Sequence, residues 1–205
     1  MFDRSGPVVA AIIIALACST VFYLEVSGRA DKMDFGVKKN SIAQEPYRLL
    51  TFSFTHDGFS HLFSNIVALL LAGALAREIG ISGRTFLLLF LLAGVLALLP
   101  ALLLTGRTFA GASAGICAIF GALSVDFERY GFSVSWIFSL FLLGMLASLA
   151  FGFFLLESAT QVLGTLVHFS AFFTGAGIFW GWKIMGLDLR STESFNPDQA
   201  DAQFH

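Results

Sequence analysis

Residues 85–104, TFLLLFLLAGVLALLPALLL, form a run of twenty positions without a charged side chain. A helix of about 20 apolar residues is long enough to cross the hydrocarbon core of a bilayer. A helix also satisfies its own backbone hydrogen bonds there, where no water can do so. The stretch therefore predicts a transmembrane helix, and Pro100 inside it predicts a bend.

Five further stretches are equally free of charged residues, and they cover residues 8–24, 58–76, 108–125, 131–156 and 158–182. The first has no small-x-small cleavage site before Glu25, so we interpret it as a retained helix and not as a signal peptide. The pattern predicts an all-α membrane protein with six transmembrane helices over residues 8–186. A short segment, 1–7, precedes this domain, and a polar tail, 187–205, is expected to be disordered.

Composition excludes several classes of protein. Hydrophobic residues make up 57% and charged residues 13%, with a mean hydropathy of +0.81, whereas a soluble domain has about 25% charged residues. The net charge of −2 provides no basic surface for nucleic acid. Two cysteines are too few for a disulfide scaffold or a four-cysteine zinc site. We expect a lipid bilayer as the environment, no bound metal and no cofactor; the sequence leaves the oligomeric state open.

The first connection, residues 25–57, alternates charged with apolar residues. An aqueous loop needs no such apolar residues, so this segment is expected to lie in the membrane interface. Each side of the predicted membrane topology carries six lysines and arginines. If the first connection is left out of the count, the side of the termini keeps its six and the opposite side keeps only Arg107. The positive-inside rule then favours cytoplasmic termini and a cell-membrane location.

Few polar residues lie within the predicted helices, and four of them fall at the same depth. His61 and Asn65 lie early in the second span, Ser113 early in the fourth and His168 in the first half of the sixth. Even-numbered spans begin on the side of the first connection, so all four residues fall in one leaflet. Intramembrane polar residues are costly and point to function.

These residue types suit hydrolysis. A serine with a histidine partner provides a nucleophile and its base, and His61 and Asn65 could donate hydrogen bonds to an oxyanion. Ser113 also fits the G-x-S-x-G pattern, but no strand precedes Gly111. Asp126 lies 13 residues beyond Ser113, about 20 Å along a helix, too far to orient the histidine. The prediction is a Ser113–His168 dyad without an acid.

Six spans, H-x-x-x-N on the second, G-x-S on the fourth and a histidine on the sixth together resemble the rhomboid intramembrane serine proteases. The likeness covers about residues 47–181, where YRLLT at 47–51 resembles the family's W-R-x-x-T with Tyr47 in place of Trp. His56 matches a second family histidine that is usually structural. His168 and Gly175 match H-x-x-G-x-x-x-G, with Ala171 at the first glycine.

The resemblance implies a role for each residue. Ser113 would be the nucleophile and His168 its base and later acid. His61, Asn65 and the Ser113 backbone N–H would form the oxyanion hole, and Gly111 would shape the loop before the fourth helix. The substrate would be a transmembrane helix of another protein, cut near the extracytoplasmic face, to which the active site would open.

One departure from the family pattern concerns the base. Cys117 stands where some members carry a tyrosine that packs on the catalytic histidine. Phe120 or Phe172 could replace that contact. We also expect Asp57 to cap the second helix.

Rival hypotheses remain open at this point. An inactive rhomboid-like scaffold would bind transmembrane helices without cutting them, but such relatives lack the serine or the histidine. A transporter would need polar residues that continue into the far leaflet, but the far halves of spans two, four and six are mostly apolar, with Ser124 an exception. A metal site could be built from four side chains: His56, Asp57, His61 and His168. A sorting-type rhomboid that processes C-terminal anchors is a further possibility.

Overall fold

The computed structural model describes residues 5–129, 135–136, 139–140, 142–144, 146–147, 150 and 159–187. Within them the chain is helical, apart from one isolated β-bridge between Val37 and Phe109. This confirms the prediction of an all-α fold for the described part of the chain. Most of the predicted fifth span, and the predicted disordered tail after Leu187, lie outside the described residues.

Eight α-helices are described, and they are α1 (Gly6–Val26), α2 (Lys32–Phe35), α3 (Arg48–Thr51), α4 (Phe59–Glu78), α5 (Gly83–Leu88), α6 (Gly94–Thr105), α7 (Ser113–Ser124) and α8 (Ala159–Ile184). Short 3-10 helices cover Lys39–Ser41, Phe52–Phe54 and Phe127–Arg129. Four helical stretches are long and apolar enough to cross a bilayer, namely Gly6–Val26, Phe59–Glu78, Gly83–Thr105 and Val162–Ile184. The chain is therefore a multi-pass membrane protein.

The third span departs from regular α-helix geometry at Leu89–Ala93, which form a π-helical turn between α5 and α6. Pro100, where the sequence predicts a bend, lies seven residues after Ala93, inside α6. The π turn packs against α7: a methyl group at Gly115 would lie 2.6 Å from the Phe90 carbonyl oxygen, so backbone meets backbone there. Single π turns are rare and often lie beside functional sites.

Helix α7 is short, and it is the most enclosed of the described helices. Its twelve residues span about 18 Å, and every residue from Ala114 to Leu123 is buried. The helix begins at Ser113, five residues after the start of the charge-free run 108–125, and Gly111 lies in the segment before it. The segment before it is held extended by paired backbone bonds between Phe109 and Val37 (2.8 and 3.0 Å) and by the Gly111 N–H, which donates to the Phe52 carbonyl at 2.8 Å.

Helices α7 and α8 pack through two glycines that allow their backbones to touch. A methyl group at Gly121 would overlap the Phe172 carbonyl, and one at Gly175 would overlap the Ala118 carbonyl. Small residues let membrane helices approach this closely, and van der Waals packing then holds them together. The two helices that carry Ser113 and His168 are thus in direct backbone contact.

The far end of this helix pair carries charges. Asp126, just beyond α7, accepts a hydrogen bond from the Lys183 ammonium near the end of α8. Arg129 Nε lies 3.6 Å from the other carboxylate oxygen of Asp126. Asp126 therefore pairs with lysine and arginine, and not with His168.

The first connection folds back on itself through polar contacts. Arg48 Nε donates to Glu45 at 2.8 Å and its Nη1 donates to the Gly36 carbonyl at 3.1 Å. The expected capping role of Asp57 is wrong: the N-cap of α4 is Gly58, which has no side-chain cap. Because the helix begins one residue later than expected, the Asp57 carboxylate forms an ion pair with Lys32 of α2 instead.

Candidate active site

Ser113 and His168 are joined by a hydrogen bond of 2.7 Å between Oγ and Nε2. Ser113 is the first residue of α7, and His168 is the tenth of α8, so both lie towards the starts of their helices. Both side chains are only partly buried. A serine hydroxyl bonded to a neutral imidazole can transfer its proton to the ring as the oxygen attacks an electrophile.

Gly111 fits between this pair and His61. Its φ of +118° lies in the region that side-chain-bearing residues avoid. A methyl group there would lie 3.0 Å from His61 Cε1 and 3.9 Å from Ser113 Oγ. The His61 ring and the Ser113 hydroxyl therefore flank one glycine, which leaves the space between them clear.

Asn65 follows His61 by one turn on the same face of α4. Its side chain is 8% exposed, and its amide nitrogen Nδ2 has no hydrogen-bond partner among the described residues. A buried donor without a partner costs about 1–3 kcal/mol. Such a donor suits a group that receives its partner only when a substrate is present.

His56 lies behind His61, outside the spanning helices. It is 2% exposed, its Nδ1 donates to the Phe54 carbonyl at 3.2 Å, and its ring meets the His61 ring edge-on with centroids 5.1 Å apart. Burial, followed by the proximity of His61, lowers the pKa of His56 to about 4. His56 is therefore neutral near pH 7, with the proton on Nδ1.

Cys117 lies one turn after Ser113 and is buried. It belongs to the same apolar cluster as Val167 and Ala171, which flank His168 on α8. Position 117 thus belongs to the apolar packing between α7 and α8, one turn beyond Ser113.

The structure adds one feature that the sequence did not indicate. Val37 and Phe52 hold the segment before Ser113 through their backbones, and backbone contacts leave no signature in side-chain identity.

Within the described residues, no group of three or more histidine, cysteine, aspartate or glutamate side chains is arranged to hold a metal ion.

Comparison with known proteins gives two matches. The family model of the Rhomboid domain matches residues 43–186. "Rhomboid protease GluP" of Bacillus subtilis (strain 168) is 36% identical over 129 residues, which is 60% of this chain. The matched region is 25% of that protein, so this chain spans about a quarter of the relative's length.

Proposed function

The chain belongs to the rhomboid family, and from this premise we propose that it is an intramembrane serine endopeptidase. It hydrolyses peptide bonds in or near transmembrane helices of other membrane proteins. The observation that carries the proposal is the 2.7 Å hydrogen bond between Ser113 Oγ and His168 Nε2. The name of the Bacillus subtilis relative, a rhomboid protease, agrees with this activity.

Ser113 Oγ attacks the scissile carbonyl carbon while its proton passes to His168 Nε2. The tetrahedral intermediate collapses, the C–N bond breaks, and His168 returns the proton to the leaving amine. A water molecule then attacks the acyl ester, with His168 again accepting a proton and returning it to Ser113. Protons balance over the cycle, and the net reaction is hydrolysis of one peptide bond.

The negative charge on the intermediate's oxygen is stabilised by three donors, namely the Ser113 backbone N–H, His61 and Asn65. The clear space at Gly111, which the His61 ring and the Ser113 hydroxyl flank, supports the place of His61. The buried amide of Asn65, which has no partner in the part of the chain that the structure describes, supports its place one turn further along α4. A single oxyanion donor is typically worth about 3–4 kcal/mol of transition-state stabilisation.

The dyad works without a carboxylate. Asp126 pairs with Lys183 instead, so packing has to orient the His168 ring. We infer that Cys117, at the position where some family members have a tyrosine, packs towards the ring from α7, and that Phe120 or Phe172 replaces the tyrosine's aromatic surface. Because packing orients the His168 ring, Cys117→Ala, which removes packing volume, should lower the activity. Cys117→Val, which keeps the position filled, should leave the activity nearly unchanged.

The site opens to the side of the first connection, which is the extracytoplasmic side if the termini are cytoplasmic. Ser113 and His61 lie within the first turn of α7 and of α4, respectively. The paired backbones of Val37 and Phe109 lie at this same end. Water and a partly unwound substrate helix therefore enter from that face.

Cleavage of a labelled transmembrane substrate in liposomes tests the proposal. The wild-type chain should cut the substrate, Ser113→Ala should not, and Ser124→Ala, at the other end of α7, should cut it at the wild-type rate. Equal cleavage by wild type and Ser113→Ala would contradict the proposal.

The second candidate, a scaffold that binds helices without cutting them, predicts the same capture of substrate by wild type and Ser113→Ala, with no product from either. The Ser113–His168 hydrogen bond favours the protease, because a scaffold gains nothing from that contact.

A further inference from the structure

The ion pair between Asp126 and Lys183 is unusual because it places a charge in a buried position. The Asp126 side chain is 6% exposed, whereas that of Lys183 is 47% exposed. A buried carboxylate without a partner is strongly unfavourable. Asp126 is paired with Lys183 and with Arg129, three residues further along its own segment, and of these two partners only Lys183 belongs to α8. The Lys183 contact therefore constrains where the end of α8 can lie.

This pair and the Ser113–His168 pair tie the same two helices together at opposite ends. Ser113 and Asp126 are 13 residues apart, and His168 and Lys183 are 15 residues apart. At 1.5 Å per residue, these separations are about 20 and 22 Å of helix. Helix α8 contributes His168 and Lys183, whereas α7 contributes Ser113 and the turn just after it contributes Asp126. A slide of α8 along α7 that breaks one contact therefore disturbs the other.

The contacts between these two ends fix the distance between α7 and α8 better than they fix the axial position of α8 along α7. Gly121 and Gly175 let the helix backbones touch, and the residues around them, such as Ala118 and Ala171, are small and buried. Packing of this kind rests on van der Waals contact. A hydrogen-bonded ion pair is directional, and buried polar pairs are best attested as devices that fix register.

We propose that the Asp126–Lys183 ion pair sets the axial register of α8 on α7 and so holds His168 Nε2 within hydrogen-bond distance of Ser113 Oγ. Lys183 and Asp126 are positioning residues, acting through the helices at the far end of the pair. Catalytic groups have to be held to within about 0.5 Å, so a small slide of α8 is enough to lower turnover. The inference rests on the proposed function only where it speaks of turnover.

The direct test observes the hydrogen bond itself. The chain has only four histidines, so ¹⁵N-histidine labelling gives few ring signals, and His168→Gln identifies those of His168. Ser113→Ala should move the His168 Nε2 resonance. Lys183→Met should move the same resonance in the same direction, whereas Lys183→Arg, which keeps the charge, should leave it at the wild-type position.

Two further variants complete the design. Arg84→Gln removes an exposed cation at the start of α5 and is the matched control, expected to match wild type. Asp126→Asn combined with Lys183→Met removes both charges and leaves no buried carboxylate unpaired, so it keeps the test valid if Lys183→Met alone fails to fold. The double variant should show the same displaced resonance as Lys183→Met.

Labelling of Ser113 by a fluorophosphonate adds a kinetic measurement. Lys183→Met should lower the labelling rate constant about tenfold, while the fraction of protein labelled at saturation stays at the wild-type level. A merely structural role would instead lower the fraction labelled and leave the rate constant of the folded molecules unchanged.

A His168 resonance at the wild-type position in folded Lys183→Met and in the double variant would overturn the inference, whatever the enzyme's activity. A displaced resonance together with a wild-type chain that neither labels nor cleaves would support the register role and overturn the proposed protease function.

Discussion

The two ends of the α7–α8 helix pair differ in the polar contacts that their side chains make. At the site end, Ser113 and His168 share one neutral hydrogen bond, and the buried Asn65 amide of α4 has no partner among the described residues. At the charged end, the buried Asp126 carboxylate is paired with Lys183 and lies near Arg129. The same helix pair thus carries a neutral contact at one end and an ion pair at the other.

The contrast separates polar groups that we propose to act in catalysis from polar groups that stabilise the fold. A buried polar group costs free energy unless it is paired, and the charged end meets that requirement within the protein. The site end leaves a donor unpaired at a cost of about 1–3 kcal/mol. Under the proposed function, that cost is recovered when an oxyanion arrives, so that binding energy favours the transition state.

Removal of His168, the proposed base, should have the largest effect on activity. His168→Ala should lower kcat by about 10⁴-fold or more, because Ser113 then has no group to take its proton. The fold should persist, since His168 is only partly buried. Cleavage assays with a thermal unfolding curve on the same sample check both statements. Activity within tenfold of wild type would mean that another group acts as the base.

Removing the unpaired donor should separate activity from stability. Asn65→Ala should lower kcat about 10²-fold with little change in KM, because the donor acts in the transition state. Its free energy of unfolding should change little, since the loss of packing is offset by the loss of an unsatisfied amide.

Leu69→Ala, one turn further along α4 and 1% exposed, is the matched control for Asn65→Ala. It should lose about 2–5 kcal/mol of stability and keep a normal kcat per folded molecule. A large loss of stability in Asn65→Ala with an unchanged kcat would mean that Asn65 stabilises the fold and does not act in catalysis.

Filling the space between His61 and Ser113 should have an intermediate effect. Gly111→Ala forces a side chain into a conformation with φ of +118° and sets a methyl group 3.0 Å from His61 Cε1. We expect kcat to fall about tenfold, because a left-handed conformation costs about 1–2 kcal/mol and the chain relaxes to avoid it. Gly177→Ala, where a methyl group meets open space among the described residues, should behave as wild type. Equal activities of the two variants would contradict the geometry.

The smallest expected effect concerns His56 and pH. Its pKa is lowered by burial from 6.5 to about 4, so the unfolded chain binds this proton more readily than the folded one. The stability of the fold should therefore fall as the pH drops from about 6.5 towards 4. His56→Gln should weaken that dependence in thermal unfolding measured across this range. An unchanged pH dependence in the variant would contradict the neutral, buried state of His56.

Much of this fold follows from the hydropathy pattern. The predicted spans 8–24 and 58–76 agree with α1 and α4 to within about two residues at each end, because bilayer thickness fixes how long an apolar run has to be. The shared depth of His61, Ser113 and His168 follows from the same pattern, since alternate spans start on one side.

Features that depend on backbone contacts could not be predicted in this way. The late start of α7 follows from hydrogen bonds to Val37 and Phe52, which are distant in sequence. The π turn at Leu89–Ala93 packs beside Gly115, whereas the sequence pointed to Pro100. The Asp126–Lys183 pair joins residues 57 apart in the chain, and neither residue alone indicates its partner.

The central claim, that Ser113 is a nucleophile activated by His168, is tested most directly by reaction with a fluorophosphonate, followed by intact-mass and peptide analysis. The claim predicts one covalent adduct per wild-type chain, located on Ser113, and none in Ser113→Ala or His168→Ala. An adduct on another residue, or labelling of Ser113 that persists at the wild-type rate without His168, would contradict it.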